Sequence, residues 1–466
     1  MEIPFIGGAY QGRSSNLNAQ VCQNLFPVID NQDGSSVLSL MGTPGLKLWC
    51  DCGIVGEVRG LYEWKGFLYA AIGSTLWKIS NLGTAANVGT IGTVSGKVWM
   101  AGGTRHLMLI DGMAGYYREE EDTSLTTIAD PDFPTASSIA YQDGYFIVTE
   151  AGTDSFFISA SEDASSWDGL DFASAEDSPD DVLAVVRNNR ELWMFGQDTM
   201  EIYYNSGDTD FPFTRLSGGV IQVGCGAPAS LISSYEGLFG LDNKYRVRMV
   251  SSGQAEVIST PQIEYHISTY ATKSDAIGFT YSLEGHSFYV LTFPSADRTW
   301  VYDVTTKYWH NWSSGLDGGR HRSNCSAFFT GKQLVGDYSN GKIYELDLAT
   351  YTDNGGSIRR VRAVQTTKSS LNRVFHSRLQ VEFEGGTGLE TGDGSDPQAM
   401  LDWSDDGGHT WSNEHWAGIG KIGEYKNRAV WRRLGSSRLR NYRLTITDPV
   451  KVVIIGAQLD AGAGAS

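Results

Sequence analysis

The feature that most constrains this 466-residue chain is a recurring unit of short apolar runs separated by tight turns. The unit occurs seven times, and its first turns are anchored at residues 66, 105, 144, 190, 237, 285 and 331. Successive anchors are 39 to 48 residues apart. Further strand-like runs, such as 182–186, lie between the units, so each repeat holds about four short strands.

Four strands at a period of about 40–50 residues are typical of a β-propeller blade. The high content of glycine (55 residues) and of Trp, Tyr and Phe (13, 22 and 19) also favours short strands joined by turns. We find no sustained helical periodicity. The sequence therefore predicts an all-β fold with a propeller of about seven blades over residues 55–355. Six or eight blades also fit, and two β-sandwiches with accidental regularity are the alternative.

The segment after a break at residues 353–356 has a different pattern. Alternating runs at 378–384, 399–404, 441–447 and 450–460 predict a separate C-terminal β-sandwich domain over residues 356–466. Residues 1–54 are predicted to form either an N-terminal arm or strands that close the propeller.

The charge is acidic overall and is divided unevenly along the chain. Lys and Arg number 36 and Asp and Glu 54, which gives a net charge of −18. Residues 357–466 carry 15 basic and 12 acidic side chains, so the first 356 residues carry 21 and 42. This shift supports a domain boundary, with a gradual drift of charge as the alternative. The acidic balance argues against a protein that wraps nucleic acid or docks on an anionic membrane.

One local motif fits the Asp-box hairpin of sialidases and other propeller proteins. Its structural turn residues are Ser404, Asp406, Gly408, Thr410 and Trp411, and residues 161–167 are a looser echo. In such a turn the Asp accepts backbone hydrogen bonds and the Trp is expected to fill the core beneath. The motif predicts a structural turn. The alternative function that it suggests is a glycan-binding or glycan-cleaving sialidase-like protein.

Other signatures of enzymes and cofactor sites are missing from the sequence. The histidines form no HExxH pair, and we find neither a phosphate-binding glycine loop nor a nucleophile elbow. Arginines are too thinly spread in the blades to predict a sialidase triad, and the acidic runs 119–122 and 176–181 are predicted to be solvated loops. Cys50 and Cys52 alone are weak support for a metal. We therefore predict no catalytic residues, no cofactor and no metal site.

Five scattered cysteines do not make a disulfide framework, and the sequence shows neither a secretory signal nor an apolar run of about 18 residues. These features predict a soluble protein made in a reducing cytoplasm.

A concentration of basic residues near the C-terminus is the candidate interface. Together with Trp431 and Tyr442 it would suit an acidic protein surface. A solvated strand face and direct contact with nucleic acid are the alternatives. The interface candidates are Lys426, Arg428, Arg432, Arg433, Arg438, Arg440 and Arg443.

Three segments in this order resemble a known family. They are NAQVCQNLFP at 18–27 followed by TPGL at 43–46, SPD at 178–180 followed by ELWMFGQDTMEIYYNSGD at 191–208, and AVWRRLGSSRLRNYRLTIT at 429–447. The chain resembles the packaged-DNA stabilisation proteins, which are the tail-hub or nozzle subunits of short-tailed bacteriophages. The resemblance spans nearly the whole chain and is patchy across the middle blades.

The resemblance implies a structural, non-enzymatic component of the virion tail that is assembled in the host bacterial cytoplasm. It implies a ring, usually a homohexamer, between the portal-adaptor protein and the tail needle and tail fibre or spike proteins. Double-stranded DNA would be retained by the ring, or pass through its channel, without specific binding, and no membrane would be involved. An acidic propeller would repel phosphates, and a more basic C-terminal domain would dock on an acidic neighbouring ring.

Overall fold

The computed structural model describes residues 3–13, 19–32, 35–175, 180–251, 253–365 and 372–464. Three predicted features lie partly outside the described residues: the first family segment at Asn18, the second family segment at 178–179, and the second acidic run at 176–179. The first strands of the chain are β1 (Val21–Gln23), β2 (Leu25–Gln32), β3 (Ser35–Gly42) and β4 (Gly45–Asp51).

Blades 1 to 4 of the propeller are four-stranded antiparallel sheets whose strands follow one another in the sequence. Their bounds are β5 (Val58–Trp64), β6 (Phe67–Ile72), β7 (Thr75–Ile79) and β8 (Ala85–Thr90) in blade 1; β9 (Trp99–Gly102), β10 (His106–Ile110), β11 (Gly115–Glu119) and β12 (Thr126–Thr127) in blade 2; β13 (Ala136–Gln142), β14 (Tyr145–Glu150), β15 (Ser155–Ala160) and β16 (Asp163–Ser174) in blade 3; and β17 (Val182–Asn188), β18 (Glu191–Gly196), β19 (Met200–Asn205) and β20 (Phe213–Ile221) in blade 4.

Blades 5 to 7 follow, with a 3-10 turn (Pro228–Ser230) before blade 5 and helix α1 (Pro261–Ser268) after it. Their strands are β21 (Ile232–Ser233), β22 (Leu238–Leu241), β23 (Val247–Ser251) and β24 (Gln254–Val257) in blade 5; β25 (Ile277–Leu283), β26 (His286–Phe293), β27 (Arg298–Asp303) and β28 (Trp309–Trp312) in blade 6; and β29 (Ser323–Phe329), β30 (Lys332–Asp337) and β31 (Lys342–Asp347) in blade 7.

The remaining strands lie after blade 7. They are β32 (Thr352–Asp353), β33 (Gly356–Ser357), β34 (Arg360–Gln365), β35 (Val374–Phe383), β36 (Gln398–Ser404), β37 (His415–Gly418), β38 (Ala429–Arg432), β39 (Ser436–Ser437), β40 (Asn441–Ile446) and β41 (Val453–Ala463).

The first turn of every predicted repeat joins the first two strands of a blade. At the third anchor, Asp143 and Gly144 have φ of 51° and 95° between β13 and β14. Two central residues with positive φ form the tight turn whose twist matches that of a β-hairpin. Glycine adopts this conformation without steric cost, which explains why the repeat is visible in the sequence.

The propeller ring closes through the N-terminal strand β4. The first strands of neighbouring blades contact one another around the whole ring, and β29 of blade 7 contacts β5 of blade 1. β4 pairs antiparallel with β31, so that Leu46 lies opposite Leu346 and completes blade 7 as its fourth strand. Among the described residues the ring therefore has seven blades, with the two ends of the propeller sequence joined in one sheet.

The C-terminal segment forms a β-sandwich together with β1, β2 and β3. One sheet continues blade 6 in the order β28-β1-β34-β40-β36-β37, and the other has the order β2-β3-β41-β35-β38, with β39 paired to β35. Leu379 and Val381 of β35 and Leu401 and Leu444 of the first sheet are buried in the core between them. Residues 1–54 are thus divided: 45–51 belong to blade 7, and β1 to β3 belong to the sandwich sheets.

Helix α1 is one element that the sequence pattern did not predict. Thr260 caps it, because its Oγ1 accepts a hydrogen bond from the backbone nitrogen of Ile263, and Pro261 occupies its first turn. Eight residues give only two turns, too few for a helical period to stand out. The helix buries Ile263 and Ile267 in the core that blades 5 and 6 share with the sandwich.

A neutral histidine is enclosed in the core of blade 6. His310 is fully buried beside Phe26, Phe288 and Trp312, and neither ring nitrogen has a hydrogen-bond partner among the described residues. Burial lowers the pKa of His310 to about 3, against a weaker opposing effect of Asp303. The imidazole must therefore remain uncharged in the folded protein at neutral pH.

Replacing His310 by leucine is expected to lower the pH at which acid unfolds the protein. Between about pH 6.5 and 3 the unfolded chain binds a proton at this position that the folded chain does not. Stability is therefore lost as the pH falls through this window, and His310→Leu removes that loss. Tryptophan fluorescence followed against pH measures the midpoint. The same change at exposed His409 is the control, and equal midpoints for the two variants would contradict the expectation.

Candidate functional site

The Asp-box forms a self-contained turn at the end of β36. The Asp406 carboxylate accepts hydrogen bonds from Ser404 Oγ at 2.7 Å, from the His409 and Thr410 nitrogens at 2.9 Å, and from Thr410 Oγ1 at 2.6 Å. These donors, Thr410 first, hold the pKa of Asp406 well below its usual range. Gly408, with φ of 98°, donates to Ser404 Oγ at 2.7 Å. The carboxylate is occupied by its own loop, which makes the motif a structural turn.

Trp411 does not fill the core, so this part of the prediction is wrong. It is only partly buried and lies under the Arg443 guanidinium, 3.9 Å from the ring centroid. The loop between β36 and β37 runs over the surface, as connections usually do. The buried position next to this hairpin is taken by Trp431 of β38, whose Nε1 donates to the carbonyl oxygen of His415 at 2.7 Å.

Replacing Trp411 by alanine is expected to lower the free energy of unfolding by only about 1 kcal/mol. The change removes one cation–π contact and a partly exposed ring, and it leaves no closed cavity. Urea unfolding of the full chain measures the difference, with buried Trp431→Ala as the comparator. An effect at Trp411 as large as that at Trp431 would show that the partly exposed ring stabilises the domain like a core residue.

The looser echo at 161–167 is also a turn, and its tryptophan does reach the core. Asp163 Oδ1 accepts hydrogen bonds from the Ser165 nitrogen at 2.9 Å and from Ser165 Oγ at 2.6 Å. Trp167 is 5% exposed, and its Nε1 donates to the Ala164 carbonyl oxygen at 2.9 Å. Both motifs therefore use their polar groups to form local structure.

Two of the seven interface candidates are engaged within the sandwich, Arg440 as a buried side chain and Arg443 as a partly exposed ion pair. Arg440 is 1% exposed, and its Nε and Nη2 bind the two carboxylate oxygens of Asp405 at 2.6 and 2.7 Å. Arg443 lies directly opposite Asp402 on the paired strands β40 and β36, with Nε 3.0 Å from Oδ1. Arg440 is not available to a partner, and Arg443 is already paired.

The other five candidates are exposed and form what we call the basic edge: Lys426, Arg428, Arg432, Arg433 and Arg438. Arg428 immediately precedes the edge strand β38 and Arg432 is its last residue, and Ala429 and Trp431 between them are buried. Alternation along a strand places residues 428 and 432 on one face.

Two exposed aromatic side chains that are not among the candidates predicted from the sequence lie on the elements next to the basic edge. Trp416 is 61% exposed on β37, the edge strand of the other sheet, which contacts β38. Tyr425, 76% exposed, precedes β38 in the loop that carries Lys426. Aromatic residues usually indicate core, so the sequence offered no signal of their exposure. Aromatic and arginine side chains together are the common composition of protein interfaces.

The first strands of the seven blades enclose a central cavity of about 660 Å³. Lys97 lines it, donates to the Ala229 carbonyl oxygen at 3.1 Å, and lies 3.8 Å from the Trp99 ring centroid. Burial lowers the pKa of Lys97 to about 8. Asn324 and Glu57 also line the cavity, and Asn324 Nδ2 donates to Glu57 Oε1 at 2.9 Å. These polar groups bind neighbouring protein groups and do not converge on one point.

The arginines of blade 2 do not gather around a carboxylate-binding position. Arg105 forms an ion pair with Glu119 at 2.7 Å, and Arg118 is buried and donates to the Glu119 carbonyl oxygen. Within the described residues no group of three or more His, Cys, Asp or Glu side chains is placed to hold a metal ion. No described helix is long and apolar enough to cross a membrane.

The fold and these surfaces define a propeller–sandwich protein that exposes an aromatic and basic edge. A family model described as bacteriophage P22 Gp10, beta-propeller, matches residues 1–351, and one described as P22 Gp10, beta-sandwich, matches residues 359–462. The chain belongs to the P22 Gp10 family. The prediction of a propeller followed by a C-terminal sandwich, and the resemblance to this phage family, are thereby confirmed.

One curated relative and two solved structures show how similar known proteins are to this chain. The tail hub protein gp10 of Salmonella phage P22 is 24% identical over 419 residues, which cover 84% of each chain. The extracellular domain of a putative one component system from B. thetaiotaomicron is 9% identical, with a TM-score of 0.46 over 87% of this chain and 58% of that chain. The WD40 domain of Neurospora crassa Pan2 is 8% identical, with a TM-score of 0.41 over 62% and 89%.

Proposed function

We propose that this chain is a structural subunit of a phage tail hub. The observation that carries the proposal is that the propeller and sandwich models match in the same order, and that a tail hub protein aligns over 84% of both chains. The compact joining of the two domains supports a role in which force is transmitted through a rigid subunit. Blade 6 and the sandwich share one continuous sheet, and β4 connects the N-terminal segment to blade 7.

In this role several copies form a ring, a homohexamer, that joins the portal-adaptor protein to the tail needle and the tail fibre or spike proteins. The ring retains packaged double-stranded DNA and lets it pass during ejection. Residues 1–356 carry 21 basic and 42 acidic side chains, so the propeller is suited to repel phosphates and not to grip them. The subunit is assembled in the host cytoplasm and performs no catalysis.

Purified virions of the phage that encodes this chain provide the test. Gold-labelled antibodies raised against the full chain should mark the tail, and mass spectrometry should find the chain in isolated tails. Particles made without the chain should package DNA and then lose it, which nuclease sensitivity measures. Labelling confined to the capsid, or stable DNA-filled particles without the chain, would refute the proposal.

A further inference from the structure

The basic edge lies at the end of the sandwich that is farthest from the propeller. In the sheet that continues blade 6, five strand-to-strand steps separate β37 from β28, and β38 is the last strand of the other sheet. At about 4.8 Å per step, this places β37 roughly 24 Å from blade 6. Residues 425–447 contain seven Lys and Arg residues and no Asp or Glu.

The acidity of the chain is concentrated in three consecutive blades of the propeller. Blades 2 to 4, residues 99–221, contain 23 Asp and Glu and 5 Lys and Arg, whereas the rest of the chain contains 31 of each. We call these three blades the acidic arc. Its net charge of −18 therefore equals that of the whole chain. Since the sandwich shares a sheet with blade 6 and a core with blades 5 and 6, blade 3 lies three blades from blade 6 and two from blade 5.

The acidic arc also exposes apolar side chains among its carboxylates. On β16, the last strand of blade 3, Leu170 is 84% and Phe172 44% exposed, next to Asp168 and Asp171. Partial burial and, second, the charge of Asp168 raise the pKa of Asp171. Blade 4 adds three further exposed side chains: Tyr204, Leu216 and Asp208. Apolar anchors surrounded by charge match the aromatic and cationic composition of the basic edge.

We propose that the basic edge of one subunit docks on the acidic arc of a second copy of this chain. The contact is head-to-tail, because the two surfaces are different and lie on different domains of the same subunit. A head-to-tail contact closes into a ring when its rotation divides a full turn, and otherwise extends into a filament. The inference rests on the proposed tail hub function and assigns the subunit contact of that ring.

Charge complementarity favours a second copy over an unrelated acidic protein as the occupant. The acidic arc offers an excess of 18 negative charges, and the basic edge has five exposed cations in a stretch, 425–447, that contains no Asp or Glu. Docking would also cover the two sheet edges β37 and β38, whose outer backbone groups pair with no further strand among the described residues. Exposed edges of this kind are usually protected in native proteins.

The experiment compares two reciprocal double variants of the full chain by sedimentation velocity at low and high salt. Arg428→Glu with Arg432→Glu reverses the basic edge, and Asp168→Lys with Asp171→Lys reverses part of the acidic arc. Each variant alone is expected to lose self-association by about tenfold or more. Mixed in equal amounts, the two variants should form dimers, because each dimer then contains one native pair of surfaces. Lys244→Glu with Lys307→Glu, exposed on blades 5 and 6, is the control and should associate like the wild type.

The inference is overturned if the wild-type chain shows no salt-sensitive self-association, if the variants associate like the wild type, or if the mixture remains monomeric. If only the basic-edge variant changes, an acidic protein other than this chain is the occupant and the inference is wrong. Thermal unfolding midpoints equal to that of the wild type verify that the exposed changes preserve the fold. If self-association fails but antibodies label the tail, the docking inference is wrong and the hub function stands. If the chain self-associates as expected but is absent from tails, the hub function alone is refuted.

Discussion

Replacing Arg362 by methionine is expected to lower the free energy of unfolding by about 3–5 kcal/mol. The guanidinium is completely buried on β34 and has a dense set of oxygen acceptors. It donates to the Phe5, Gly8, Val21 and Pro4 carbonyl oxygens at 2.6, 2.9, 3.3 and 3.2 Å and to Gln20 Oε1 at 3.0 Å. Methionine fills a similar volume but leaves these acceptors buried without a donor. Urea unfolding of the full chain measures the loss.

The same change should release the N-terminal segment before the rest of the protein unfolds. These five acceptors lie in residues 4–21, where Phe5 is also buried in the shared core. Limited proteolysis is therefore expected to cut this segment in Arg362→Met and not in the wild type. Exposed Arg432→Met is the matched control and should alter stability by no more than about 0.5 kcal/mol. Equal stability of the two variants would mean that Arg362 is dispensable for attachment of the segment.

Replacing Leu46 by aspartate is expected to lower the free energy of unfolding by about 4 kcal/mol or more, or to prevent folding. Leu46 of the closing strand β4 is 1% exposed and packs in a cluster with Phe26, Val335 and Tyr344. The variant loses the buried leucine and places a carboxylate without a partner in this core. Because β4 is the fourth strand of blade 7, its detachment should leave β31 at an open edge.

Leu48→Asp on the same strand is the matched control, because Leu48 is 48% exposed. Both leucines lie in the continuous part of the pairing with β31, because the bulge at Ile343–Tyr344 falls beyond Leu48; they differ in how far neighbouring residues cover them. The control should unfold at nearly the wild-type urea concentration. Limited proteolysis that cuts the chain between β4 and β5 in Leu46→Asp, and not in Leu48→Asp, would support ring closure by β4. Similar effects of both substitutions would argue that β4 contributes little to closure.

The blade pattern was visible in the sequence because it depends on local chemistry. Every repeat contains a tight turn flanked by apolar runs, and the turn residues that permit positive φ are recognisable without knowing the rest of the chain. The strands β35, β36, β40 and β41 were predicted from alternation for the same reason. Helix α1 escaped because two turns are too short to show a period.

The candidate site was predicted only in part. All seven cations near the C-terminus were found, but Arg440 and Arg443 are neutralised by Asp405 and Asp402, residues that lie 35 and 41 positions earlier. Only the pairing of β36 with β40 brings these charges together. Trp411 and Trp416 reversed the usual expectation, since burial depends on which neighbours cover a ring and not on its apolar character.

The amino-acid sequence determined the strand-and-turn repeat, the all-β class and the division of charge, because each follows from residue type and spacing along the chain. Tertiary structure alone decided that β4 closes the ring and that β1 to β3 belong to the sandwich. It also decided that five of the seven C-terminal cations are exposed whereas Arg440 is buried. These outcomes depend on contacts between residues as far apart as Phe5 and Arg362, which are selected by packing and by the pairing of buried polar groups.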